Sequence, residues 1–218
     1  MKKEKIIQSS LELTAAQVIQ DFTTQGYSVV DQFLQAEEVS RLRAYITNLK
    51  NQEVLKKAAI GNLNIAEVNE DVRGDYINWI DFAQNSLLSE IVESKISMLM
   101  QQMNRQLYLG IKDYEFHTTV YPPGTRYARH FDRFKYNSNR VVSMVMYLND
   151  EWITGNGGEL KIYHTDQTTT LIEPIAGRLV TFLSDEIEHE VLETNYERYS
   201  ITGWLLNQPK ALKFIRNH

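Results

Sequence analysis

The chain has 218 residues, no cysteine, and 28 Asp+Glu against 23 Lys+Arg, a formal net charge of −5. These counts argue against a disulfide scaffold, a thiol nucleophile and any zinc-thiolate or iron–sulfur site, and the acidic balance offers no general basic face for nucleic acid. With 43% apolar residues the chain can bury a substantial core, and its length points to a single domain over 1–218.

The first residues, MKKEKIIQSSLELT, carry charge and no apolar segment of leader length, and no uncharged apolar run reaches the length of a membrane span. The expectation is a soluble, cytoplasmic protein with neither membrane nor nucleic acid as partner. Over 14–25 the apolar residues Ala16, Val18, Ile19 and Phe22 fit a short helix, which Gly26 can end before the strand-like YSVV at 27–30. A second helix is predicted over 36–51, with Val39, Leu42, Ile46 and Leu49 at helical spacing. A third and longest one is predicted over 82–107, where Leu88, Ile91, Val92, Ile96, Leu99, Met100 and Met103 form one stripe.

After Leu109 the period becomes two, and β-branched and aromatic residues dominate. Strands are predicted at 114–121, 126–132, 141–148, 159–163, 168–172, 178–183, 188–192 and 198–206. Between them lie PPG, NSN, GNGG and PIAG, all suited to tight turns. The fold expected is mostly β, a jelly-roll (double-stranded β-helix) core over 111–207, with residues 1–110 supplying first strands and helices packed outside one sheet.

Few residues could carry chemistry. His130 and Asp132 stand two apart in the strand-like RYARHFD, so an imidazole and a carboxylate share one sheet face. Alone, this triplet reads more readily as a hydrogen-bonded pair on a solvated face. A second histidine, His189, follows in SDEIEHEVLE, and Arg198 comes nine residues after it. Two histidines and one carboxylate can hold one face of a ferrous ion and leave positions open for other ligands. The keto and carboxylate oxygens of 2-oxoglutarate can fill two of these and O₂ a third. The far carboxylate of that cosubstrate then needs a cation, and arginine offers a planar, permanently charged one. A strand over 198–206 carries Arg198, Ser200, Thr202 and Trp204 on one face; the competing reading of Arg198 is a strand-edge salt bridge.

The ordered set YPPGTRYARHFD, VVSMVMYLNDEW, GGEL, HE and RYSITGW, preceded by VRGDYINWID at 72–81, resembles the Fe(II)/2-oxoglutarate dioxygenases of the prolyl 4-hydroxylase class, including the oxygen-sensing prolyl hydroxylases and their bacterial relatives. The resemblance runs from about Gly26 to Asn207. It implies that His130, Asp132 and His189 bind Fe(II), and that Arg198 holds the distal carboxylate of 2-oxoglutarate with help from Tyr147. It places Tyr121 and Thr202 in the cosubstrate pocket and Val145 and Trp204 on its wall. The Arg73 and Asp75 loop and Arg140 would border the entrance where a peptide lies. The activity implied is hydroxylation of a C–H bond, at C4 of a prolyl residue in a protein, with release of succinate and CO₂ and with L-ascorbate as reductant. Free proline or another small molecule is the rival substrate, and a non-catalytic 2-oxoglutarate or iron sensor the rival class.

Each secondary assignment has a plainer competitor. Tyr121 and Tyr147 could be core tyrosines with satisfied hydroxyls, Trp204 simple packing, and Arg73 with Asp75 a turn salt bridge of little energetic value. His117 reads as structural, His164 as a turn residue and His218 as a tail residue. The segment RFKYNSN over 133–139 is not the glycine-rich loop of the animal oxygen sensors, so the pocket lip should differ. Asp132 argues against a halogenase, where a small residue replaces the carboxylate.

Overall fold

A computed structural model describes residues 2–58, 69, 72–133 and 139–209, with side chains described from Leu11 onward. The lip segment at 134–138 and His218 lie outside the described residues. Helix α1 (Lys2–Gln25) begins well before residue 14 because the Lys, Glu, Gln and Leu of its first turns are all good helix formers and no Gly or Pro interrupts them. It ends where predicted: Gly26 takes φ +76°, and its N–H returns to Phe22 O. Strand β1 (Tyr27–Val30) follows, then α2 (Ala36–Asn51), whose start is fixed by the Glu38 carboxylate accepting from Gln35 N at 2.8 Å.

The long helix predicted over 82–107 is interrupted. Asp81 caps a 3₁₀ turn at Phe82–Gln84, and Asn85 Oδ1 accepts from Leu88 N at 3.0 Å, which starts a new helical segment. That segment passes through a π-helical turn at Ser89–Glu93 into α3 (Ser94–Leu107). Two polar side chains able to cap thus override the apolar stripe's continuity. Two strands lie in the first half that periodicity does not show: β2 (Lys56–Lys57) and β3 (Tyr76–Trp79).

The remaining strands match the eight expected runs: β4 (Asp113–Tyr121), β5 (Tyr127–His130), β6 (Arg140–Tyr147), β7 (Leu160–Tyr163), β8 (Thr169–Ile172), β9 (Leu179–Leu183), β10 (Glu188–Val191) and β11 (Arg198–Leu206). They form a jelly-roll of two antiparallel sheets, a larger one ordered β1-β9-β6-β11-β4-β3-β2 and a smaller one ordered β5-β10-β7-β8. The central strands of the larger sheet are buried on both faces. Its outer face, with Met144, Met146, Ile201 and Leu205, packs on Leu42, Ile46, Ile96 and Leu99 of α2 and α3. Its inner face, with Val145, Tyr147, Val180 and Phe182, meets Leu160, Ile162 and Val191 of the smaller sheet. Burial on both sides explains why β6 reads as nearly unbroken apolar sequence rather than alternation. The site lies on the inner side, between the sheets. No helix among the described residues is long and apolar enough to cross a membrane.

Candidate active site

His130 ends β5 and His189 sits in β10, and the two are directly paired across the antiparallel ladder with ring centroids 4.3 Å apart. Asp132 is not on the strand, as strict alternation had it. β5 stops at His130, and Asp132 occupies the bend beyond it, where Arg133 N bonds Ser184 O at 3.0 Å and Ser143 Oγ donates to Asp132 Oδ2 at 2.6 Å. The carboxylate still meets both rings: Oδ1 is 3.4 Å from His130 Nε2, and Oδ2 is 3.8 Å from His189 Nε2.

The hydrogen bonds decide which ring nitrogen is free. His130 Nδ1 lies 2.7 Å from Ala128 O and His189 Nδ1 lies 3.1 Å from Ile187 O; a carbonyl only accepts, so each Nδ1 carries a proton. In a neutral ring Nε2 then presents a lone pair. Burial pulls the His189 imidazole down to about 4, so it is neutral at physiological pH. Burial alone would raise the Asp132 carboxyl, but His189, His130 and Arg140 outweigh it and hold it well below the usual range. Two imidazole nitrogens and a carboxylate thus converge with ligand atoms all within 4.8 Å. This N₂O donor set fits a divalent transition metal.

A narrow cleft with a volume of about 40 Å³ runs from this cluster to Arg198. Arg198 is only 2% exposed; its Nε donates to Gly158 O at 2.8 Å, and its guanidinium lies about 5 Å from the rings of Tyr121 and Tyr147. Among the described residues no carboxylate comes within 4.0 Å of it. A buried, unopposed cation is costly, so the cleft's far end suits an anion. The strand-edge salt bridge is thereby replaced by a core position. Gly158 holds this arrangement in place: it adopts φ +67°, and a Cβ there would lie 3.0 Å from Arg198 Cδ.

The other expected residues divide. Tyr121, Thr202, Val145 and Trp204 line the cleft. Tyr147 lies beside Arg198 but behind the lining, its buried hydroxyl without a hydrogen-bond partner of acceptable geometry among the described residues; burial raises its pKa. Trp204 Nε1 is likewise buried and unpartnered. Arg73 and Asp75 are more than a turn salt bridge: Nε to Oδ1 is 2.6 Å and Nη2 to Oδ2 2.9 Å, with the carboxylate fully buried at the cleft wall. Arg140 does not line the cleft; it stacks on the Trp204 ring at 3.3 Å and pairs with Glu115 at 3.1 Å.

His117 and Tyr127 in the cleft, and Ser143 behind Asp132, escape sequence reading. His117, taken as structural, is buried between Trp79 and Trp204, with Thr119 Oγ1 2.9 Å from its Nδ1. Burial brings its imidazole down to about 3. Tyr127 stacks on the His130 ring at 3.8 Å although the two are three apart, an odd spacing that alternation sends to opposite faces. A β-bulge in β5, where His130 pairs His189 but Tyr127 pairs Val191, puts both on one face. Ser143 could have been found: it is the lone polar residue inside VVSMVMYL.

A family model for the 2OG-Fe(II) oxygenase superfamily matches residues 116–206, which include His130, Asp132, His189 and Arg198. The crystal structure of a Pseudomonas putida prolyl-4-hydroxylase is 38% identical and superposes with a TM-score of 0.81, covering 89% of this chain and 100% of that one. The chain belongs to the 2OG-Fe(II) oxygenase superfamily. The oxygenase also shares its fold with a Trichoplax adhaerens prolyl hydroxylase solved with a hypoxia inducible factor peptide, at 24% identity and a TM-score of 0.84, covering 97% and 96% of the two chains. An uncharacterised PKHD-type hydroxylase of Synechocystis is 24% identical over 188 residues, 75% of the oxygenase, which spans 61% of that relative's length.

Proposed function

We propose that this oxygenase holds Fe(II) with His130, Asp132 and His189, anchors 2-oxoglutarate on Arg198, and hydroxylates C4 of a prolyl residue in a protein or peptide. The observation that supports the reading is one cleft with two imidazoles and a carboxylate gathered at one end and, at the other, a buried arginine with no carboxylate within 4.0 Å among the described residues. When bound, the iron couples O₂ activation to oxidation of 2-oxoglutarate to succinate and CO₂. The chain supplies position and exclusion of water. Ala128 and Ile187 carbonyls fix both imidazoles with Nε2 inward. Arg198, its own Nε committed to Gly158, offers its two terminal nitrogens to a carboxylate, with Thr202, Tyr121 and the unpartnered Tyr147 hydroxyl nearby.

At the mouth stand the Arg73 and Asp75 pair, Trp204 with Arg140 stacked on it, and the half-exposed Trp79, side chains suited to contacting an extended chain. The 38% identity to a prolyl-4-hydroxylase supports proline as the residue taken.

The first test needs no substrate. Anaerobic addition of Fe(II) and then 2-oxoglutarate should produce a visible charge-transfer band that requires both and disappears in His189→Ala. Incubation of the loaded enzyme, with ascorbate, on proline-containing peptides should then give a mass gain of one oxygen and stoichiometric succinate. Oxidation of free proline but no peptide would transfer the assignment to a small-molecule hydroxylase, and ligand binding without succinate from any substrate would make it a sensor.

A further inference from the structure

Asp132 is the member of the cluster that no strand holds, since β5 ends two residues before it. Its carboxylate is gripped from the opposite sheet. Ser143, on the inner face of β6 and 1% exposed, donates from Oγ to Asp132 Oδ2 at 2.6 Å. Ser184, fully buried just past the end of β9, lies with its Oγ 2.9 Å from Ser143 Oγ. The direction of this chain follows from proton counting: an ionised carboxylate only accepts, so the single proton of Ser143 is committed to Asp132, and Ser184 must donate to Ser143. The backbone of Ser184 is pinned on both sides, its N–H on Val141 O and its C=O on the N–H of Arg133, the residue after Asp132.

We infer that Ser143, backed by Ser184, is a positioning residue that fixes which oxygen of Asp132 faces the metal; this rests on the metal reading above. Ser143 occupies Oδ2 and leaves Oδ1, the oxygen nearer His130, as the free donor, so the carboxylate is presented through one oxygen. Two buried hydroxyls are unfavourable unless satisfied, and the partners these two have are each other and Asp132. Without Ser143, Oδ2 becomes an undonated buried acceptor, and the carboxylate is free to rotate and offer both oxygens to the ion. Groups that orient metal ligands in this way are typically worth about 10–100-fold in metal affinity.

The test uses the full chain and Co(II) as the probe, titrated anaerobically and followed by its d–d absorption, with Asp132→Ala as reference. Ser143→Ala should bind Co(II) about 10–100-fold more weakly, with a shifted band as a carboxylate oxygen is added or lost. Ser143→Thr, which keeps the hydroxyl, should restore both affinity and band, and Ser184→Ala should fall between. A purely structural role would lower the melting temperature of the metal-free protein and leave affinity and band unmoved, and that result overturns the inference. Should Ser143→Ala fail to fold, Ser184→Ala carries the test, and wild-type affinity and spectrum in it overturn the relay. Failure of the metal reading looks different: wild type does not take up Co(II), or Asp132→Ala binds it as well as wild type.

Discussion

Replacing Arg198 with methionine should make the ligand-free protein more stable and the liganded one weaker. The guanidinium is 2% exposed, makes one hydrogen bond, to Gly158 O, and has no carboxylate within 4.0 Å among the described residues. Loss of that hydrogen bond removes about 1 kcal/mol. Loss of the contacts with the Tyr121 and Tyr147 rings, about 5 Å from Arg198 Cζ, removes about 1–2 kcal/mol more. Against this stands a desolvation penalty of several kcal/mol for a buried ion. Methionine keeps much of the stem volume, so the net should be a stabilisation of about 1–3 kcal/mol in urea unfolding of the apoprotein. For 2-oxoglutarate, a lost two-pronged, charge-assisted contact is worth about 3 kcal/mol or more, over a hundredfold in affinity. Wild type at 100 times its dissociation constant should gain about 2.7 kcal/mol from the cosubstrate, and the variant almost none. An apoprotein destabilised by more than about 1 kcal/mol together with undiminished protection by 2-oxoglutarate would refute the argument and make Arg198 a structural residue.

Further outcomes are expected. Because His117 is held neutral by burial, with its pKa lowered to about 3, its contribution is complete above the unfolded value near 6.5 and is lost as pH falls toward 3. Between pH 7.5 and 5.5 wild type should lose about 1 kcal/mol that His117→Gln does not, read from paired urea curves; parallel pH slopes would refute this. The buried Lys95, with Nζ 2.9 Å from Phe33 O and 2.6 Å from Glu38, should be replaceable by Met within about 1 kcal/mol. Glu38→Gln should be worse, about 2 kcal/mol by denaturation, since it strands the ammonium and weakens the start of α2; the reverse order would contradict this account. Gly203→Ala should destabilise by about 1–3 kcal/mol or more, because its Cβ would lie 2.3 Å from Glu115 O and the Phe116 ring; an unchanged melting temperature would show that β4 yields freely.

The strands after Leu109 were legible because turn residues bracket β-rich runs of regular length, and the cluster of His130, Asp132, His189 and Arg198 because few chemically capable side chains compete with it. Other parts were hidden for identifiable reasons. β3 is a four-residue strand beside the charged Arg73 and Asp75, and its longer pairing is with β4, far along the chain, its other neighbour being the two-residue β2. The break in the third helix depended on whether Asn85 would turn its side chain inward to Leu88 N, which periodicity does not report. The bulge in β5 is a register event, so it left no trace in composition, yet it decides that Tyr127 stacks on His130. Asp132 was placed on the correct side of the cleft for an incomplete reason: the serines hold it there, not the strand.

The smaller sheet has two outer strands, and one of them carries His130. That border is already occupied: Arg73 bridges Tyr127, Gly74 N bonds Arg126 O and Ala128 N bonds Val72 O, after which the same segment turns into β3 of the larger sheet. A four-residue strand left open on one side could slide by one position or recruit another chain, and a slide of one would send His130 to the outer surface and bring Phe131 or Arg129 inward. Seamed on both sides, β5 has no such freedom. Among the described residues the other border, β8, has no strand on its far side, and it is only four residues long. The strand that can least tolerate slippage is thus the one stitched to both sheets.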